Sequence, residues 1–113
     1  MRGRLGVFIL ALMFGAPAWA GDDVEATYKK YCASCHGMTG DGNGHAQMKV
    51  KPIDFRSPIV QNSTDEKLFQ AIGHGVGHKE YAHAFADRGM DAKQIADLVT
   101  YIRKLAKTAK KTN

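Results

Sequence analysis

The chain has 113 residues, 16 Lys and Arg against 11 Asp and Glu, 44% hydrophobic residues and two cysteines. That length holds one domain and is too short for a two-domain enzyme with its own cofactor fold. The mix of charged and apolar residues excludes a disordered tail, two cysteines exclude a disulfide-dense scaffold, and a pI of about 9.3 raises nucleic-acid binding.

Arg2 and Arg4 precede an apolar run over residues 5–14, which Gly15 and Pro17 break and Ala18-Trp19-Ala20 closes. A basic end, a short apolar stretch and a small-x-small site predict a secretory signal peptide over 1–20, cut after Ala20. The run is well short of the ~20 apolar residues of a spanning helix, so no membrane span is expected after cleavage. The expected mature domain, 21–113, has 93 residues, and its net charge falls from +5 to +3 because Arg2 and Arg4 leave with the signal. Export places it in the periplasm if the source is bacterial, where disulfides are permitted.

Asp22 or Asp23 caps a first helix with Val24, Tyr28 and Tyr31 at i, i+4 and i+7. Residues 37–63 read as loop, with Gly37, Gly40, Gly42 and Gly44 preventing regular structure and Pro52 and Pro58 punctuating it. A second helix starts at Ser63 or Thr64, where Ser63-Thr64-Asp65-Glu66 fits a capping box, and it stops at Gly73. The last helix is capped by Asp91 with Gln94 completing the box. Ile95, Leu98, Val99, Ile102 and Leu105 form its apolar stripe, with Tyr101 on the flank. Its Lys104, Lys107, Lys110 and Lys111 complement the helix dipole. No segment alternates with period 2, so the fold class is all-α: three or more helices and long loops. About a third of the mature chain has no periodic element to bury, a thin core for a domain of this size. Something besides side chains is needed at its centre.

Cys32-Ala33-Ser34-Cys35-His36 is the Cys-x-x-Cys-His pattern of c-type haem attachment. Each thiol adds to one haem vinyl group, and two intervening residues let one turn of chain span both. The adjacent His36 then becomes the proximal iron ligand, its other ring nitrogen commonly donating to a backbone carbonyl. Three rivals use the same residues. A thioredoxin-like pair needs a βαβ context that is missing. For a zinc site, 38 residues separate Cys35 from His74, against about 12–15 in common fingers. A disulfide closing so small a loop contributes little. One covalent haem c is the expected cofactor.

At this point the chain resembles the class I (mitochondrial-type) cytochromes c, particularly the small bacterial monohaem ones, over nearly all of 22–107. The resemblance rests on Tyr31-Cys32-Ala33-Ser34-Cys35-His36-Gly37, Asp41-Gly42-Asn43-Gly44, Leu68-Phe69-x-x-Ile72-x-x-Gly75-Val76 and Gln94-Ile95-Ala96-Asp97-Leu98-Val99-x-Tyr101-Ile102-Arg103. It implies a small cytochrome c fold in which the first and last helices cross, an edge-exposed haem, and single-electron carriage between larger redox proteins without bond chemistry.

The family usually supplies a methionine as sixth ligand, in a Met-Pro-x-aromatic loop before the last helix. Here Tyr81-Ala82-His83-Ala84-Phe85 stands in its place: matching the aromatic puts Ala82 at the methionine, while counting back eight residues from Asp91 puts His83 there. His83 is the expected distal ligand. His78, Met48 and Met90 are the alternatives, although Met90 also suits a hydrophobic staple against Ile95, and a vacant sixth position is a further possibility. Met38 lies beside the proximal site, and His45 and His74 are expected at the surface. Tyr28, Tyr31, Ile53, Phe55, Phe69, Leu98 and Ile102 are candidates for the haem wall, with Lys51 and Arg56 for its propionates. The partners implied are redox proteins as donor and acceptor; dispersed lysines in an exported chain without a basic-aromatic patch argue against nucleic acid. Two other functions use the same site: a five-coordinate haem protein binding a gas or peroxide, and a haem subunit of a larger oxidoreductase.

Overall fold

The computed structural model describes residues 23–78 and 83–111. The signal-peptide reading, the Asp22 cap, Tyr81 and Ala82 lie outside them. The described residues form five α-helices and no strand: α1 Asp23–Tyr31, α2 Ala33–His36, α3 Pro58–Gln61, α4 Asp65–His74 and α5 Ala92–Lys111, with a 3-10 turn at Phe85–Arg88. No described helix is long and apolar enough to cross a membrane.

The helix α5 is the hub, packing on both α1 and α4. Its start is the expected capping box: the Asp91 carboxylate accepts from the Gln94 N–H at 2.8 Å, and the Gln94 side chain accepts from the Asp91 N–H at 3.0 Å. Ile95, Leu98, Val99 and Ile102 are buried as the stripe requires, and Ala106 extends it. Against it α1 places Tyr28, which is 0% exposed, and the Tyr28 and Tyr101 rings meet at 5.0 Å. The Tyr28 hydroxyl donates to the Gly37 carbonyl at 2.8 Å, a buried bond that ties α1 to the end of α2. Tyr28→Phe leaves that carbonyl with the Gly40 N–H alone, at 3.2 Å, and is expected to cost about 0.5–1.5 kcal/mol, read as a lower urea midpoint at unchanged m-value.

Two boundaries differ from the expected ones. The helix α4 runs through Gly73 to His74 and ends at Gly75, which takes the left-handed φ of 69°. The Gly75 N–H donates to Ala71, the bond of an αL closure, and the Val76 N–H reaches back to Gln70. Gly73 is a packing glycine: a Cβ there would come within 3.1 Å of Ile95 Cδ1. At the other end Thr64 caps alone, its hydroxyl accepting from the Lys67 N–H, while Glu66 accepts from Gln70 instead of closing a box. The second difference is α3, a single turn inside the stretch expected to be loop, with Ser57 before it and Pro58 in its first turn.

Arg103 joins these pieces. From α5 its guanidinium donates to the Val60, Gln61 and Ser63 carbonyls and to the Asp65 carboxylate, at 2.6–3.2 Å. The link between α3 and α4 is thereby fastened to α5.

Candidate haem site

The attachment motif folds as one tight turn. The His36 N–H donates to the Cys32 carbonyl at 2.9 Å, and the Gly37 N–H to Ala33 at 2.8 Å. A helix this short leaves its carbonyls without internal partners. The glycine loop supplies them: the Gly42, Gly44 and Ala46 N–H groups donate to the carbonyls of His36, Cys35 and Ser34. At Gly44 a side chain would run into the Ser34 carbonyl. The loop thus has a structural task, holding the turn from behind.

Cys32 and Cys35 are both free thiols, and the Ser34 hydroxyl contacts the Cys35 sulfur at 3.8 Å. Burial, with Cys35 beside it, pushes the Cys32 thiol up to about 12. A thioredoxin-like nucleophile or a zinc thiolate requires the opposite shift.

His36 is buried, its ring stacked on Phe55 with centres 4.2 Å apart. Burial first, then His83 and His78, pushes its pKa down to about 4, so at neutral pH the imidazole is uncharged and carries a lone pair. Its Nδ1 has no hydrogen-bond partner, so the backbone carbonyl expected to orient the ring is not found.

His83 stands opposite, with ring centres 6.0 Å apart. Two imidazoles that share one metal, each bonded at about 2.0 Å, have centres roughly 6 Å apart. His83 stacks on Phe85 at 5.4 Å, and Phe85 meets Tyr31 edge-on. Between His83 and that anchor, Ala84 has a φ of 41°, the one positive φ outside glycine among the described residues. Such strain concentrates at ligand-holding positions. Burial and then His78 hold the His83 pKa below its ordinary value, while the Ala71 carbonyl acts the other way.

A cavity of about 510 Å³ brings these groups together, lined by Tyr31, Cys35, His36, Met48, Val50, Lys51, Pro52, Ile53, Gly77, His78 and His83. That volume suits a cofactor-sized ligand. An adjoining apolar cleft of about 30 Å³ reaches Cys32 past Tyr28, Phe55, Leu98 and Ile102. The two thiols thus face neighbouring parts of one region, and the Nδ1 atoms of His36, His78 and His83 are all buried there without partners. Donor type, spacing and apolar walls fit a haem attached through both cysteines.

Of the expected residues, the structure brings Cys32, Cys35, His36, His83, His78 and Met48 together. Met90 is a correction: it lines a separate cavity with Thr27, Arg88 and Gln94 and packs on the Tyr28 and Leu98 cluster, a structural role. Arg56 is another, because it forms two hydrogen bonds to the Asp54 carboxylate and lines a cavity with Tyr101 and Lys104. Lys51 does border the haem cavity. Phe69 borders neither haem-site cavity. Met38, 56% exposed, and the exposed His45 and His74 stand apart from it as expected. Val50, Ile72 and Phe85 were missed as wall residues. Only Phe85 carried a signal, two positions beyond His83.

An all-helical domain built around this site defines a c-type cytochrome. The sequence profile of the family described as cytochrome c oxidase, cbb3-type, subunit III matches residues 20–102, and the chain belongs to that family. It is also similar to the cytochrome bc1 complex cytochrome c subunit of Corynebacterium diphtheriae, with 26% identity over 81 residues. That match covers 72% of this chain and 26% of the relative, so the chain spans about a quarter of the length of that protein.

Proposed function

We propose that this chain is an exported monohaem cytochrome of the class I type that carries one electron at a time between redox proteins and performs no bond chemistry. Cys32 and Cys35 hold the haem, His36 is its proximal ligand and His83 its distal one. The observation that carries this reading is the 6.0 Å separation of the His36 and His83 rings at the cavity that Cys35 lines. A haem bound here supplies a one-electron couple at its iron. The protein's part is to fix that couple: the Phe55 and Phe85 stacks hold the two imidazoles, and the apolar cleft keeps water from the inner edge. The exposed Val50 and Ile53 border the cavity on its outer side, where a partner's cofactor can approach. Export is supported by the basic, apolar and small-residue pattern of 1–20, and periplasmic residence follows if the source is bacterial.

Imidazole in place of thioether lowers the reduction potential. The oxidised protein is therefore expected to lack the sulfur-to-iron charge-transfer band at the red end of the visible spectrum, and to titrate below His/Met cytochromes of its size. A sulfur band would make Met48 the ligand and sink the bis-histidine reading.

A second reading makes the chain a haem subunit docked on a larger oxidoreductase, and the names of the matched family and relative favour it. Co-purification of the tagged chain with a membrane complex separates the subunit from the free carrier.

A further inference from the structure

His78 borders the same cavity as His36 and His83 and stands edge-on to His83, ring centres 4.5 Å apart. The Nδ1 atoms of both distal histidines are buried without a partner. Neither ring is drawn away by a bond at Nδ1, and both border the one cavity that His36 also lines. One iron position facing both explains why two nitrogen ligands are kept there.

Their attachments differ. His83 is pinned by its stack on Phe85 and by the unusual backbone at Ala84. His78 follows Gly75 and Gly77, with φ of 69° and 85°, and its N–H closes a turn onto the Gly75 carbonyl at 3.1 Å. No described atom lies within 4 Å of where a Cβ at Gly77 would stand. Glycine adopts either sign of φ readily, so the backbone leading to His78 is less constrained than that at Ala84.

We infer that the distal side carries two imidazoles for one coordination position, with His83 in place and His78 in reserve, so that losing His83 leaves the iron six-coordinate through His78. The inference rests on the reading of His36 and His83 as the axial pair.

The test compares visible spectra and carbon monoxide binding of the haem-loaded wild type, His83→Ala, His83→Gln, His78→Ala and the His78→Ala/His83→Ala double variant. His83→Gln preserves most of the side-chain volume in case alanine prevents maturation. The expected result is that either single His83 variant keeps a low-spin, six-coordinate spectrum. The double variant loses that spectrum, turns high-spin, binds carbon monoxide at once, and regains the low-spin form when free imidazole is added. A high-spin single variant, a sulfur band in it, or a double variant that stays low-spin overturns the reserve role of His78. A sulfur band or a high-spin spectrum in the wild type overturns the axial-pair reading itself, which keeps the two failures distinct.

Discussion

Replacing Cys32 and Cys35 together by alanine is expected to abolish covalent haem, so that acid–acetone extraction of the purified double variant leaves no absorbing protein. The reason lies in the turn that carries them. The His36 N–H donates to the Cys32 carbonyl, and the two thiols border the adjoining cleft and cavity. Each thiol is free to add to a vinyl group, with no disulfide between the two to break first. Either single variant retains one thioether: its haem resists extraction, but its pyridine haemochrome band moves to the red because one vinyl stays conjugated. The double variant also loses stability, since a cofactor that binds only the folded chain stabilises it by mass action. Haem that extracts from the wild type, or stays bound to the double variant after extraction, contradicts the assignment of both cysteines.

Some of this was written locally in the chain and some was not. The start of α5 was legible because Asp91 and Gln94 satisfy each other's N–H groups within four residues, and its stripe because burial follows the 3.6-residue period. The attachment motif was legible because thioether chemistry fixes its spacing. The passage of α4 through Gly73 was not, because helix propensity opposes it by about 1 kcal/mol and only the distant Ile95 side chain explains the need for so small a residue. Pro58 read as a breaker, although proline in a first turn after serine equally starts a helix. Met90 and Met48 show the limit most clearly. Both are methionines on candidate segments, and only the fold sends one to the far side of Phe85 and the other to the haem cavity. The glycine loop read only as irregular chain, yet its N–H groups hold the attachment turn through its carbonyls. Such long-range closures leave no periodic mark in a sequence.

Arg103→Ala is expected to destabilise the protein by about 2–4 kcal/mol. Arg103 is mostly buried, at 22% side-chain exposure, and Asp65 is 79% exposed. The ion pair between them therefore contributes little. What Arg103 secures is three carbonyls, those of Val60, Gln61 and Ser63, at 3.2, 3.1 and 2.6 Å. They belong to the end of α3 and the turn into α4; the Val60 carbonyl also accepts from the Ser63 N–H at 3.0 Å, so Arg103 matters most to those of Gln61 and Ser63. Removing the guanidinium takes the Arg103 donor from the Gln61 and Ser63 carbonyls and frees the α3–α4 link from α5. Lysine does not repair this: an ammonium is a point donor, while the planar fork reaches several carbonyls at once. Asp65→Ala is accordingly expected to cost under about 1 kcal/mol, and Arg103→Lys to recover less than half of the alanine loss. Urea unfolding of the three variants at equal haem content separates the contributions. A loss on Asp65→Ala equal to that on Arg103→Ala would locate the stabilisation in the ion pair and not in the carbonyls.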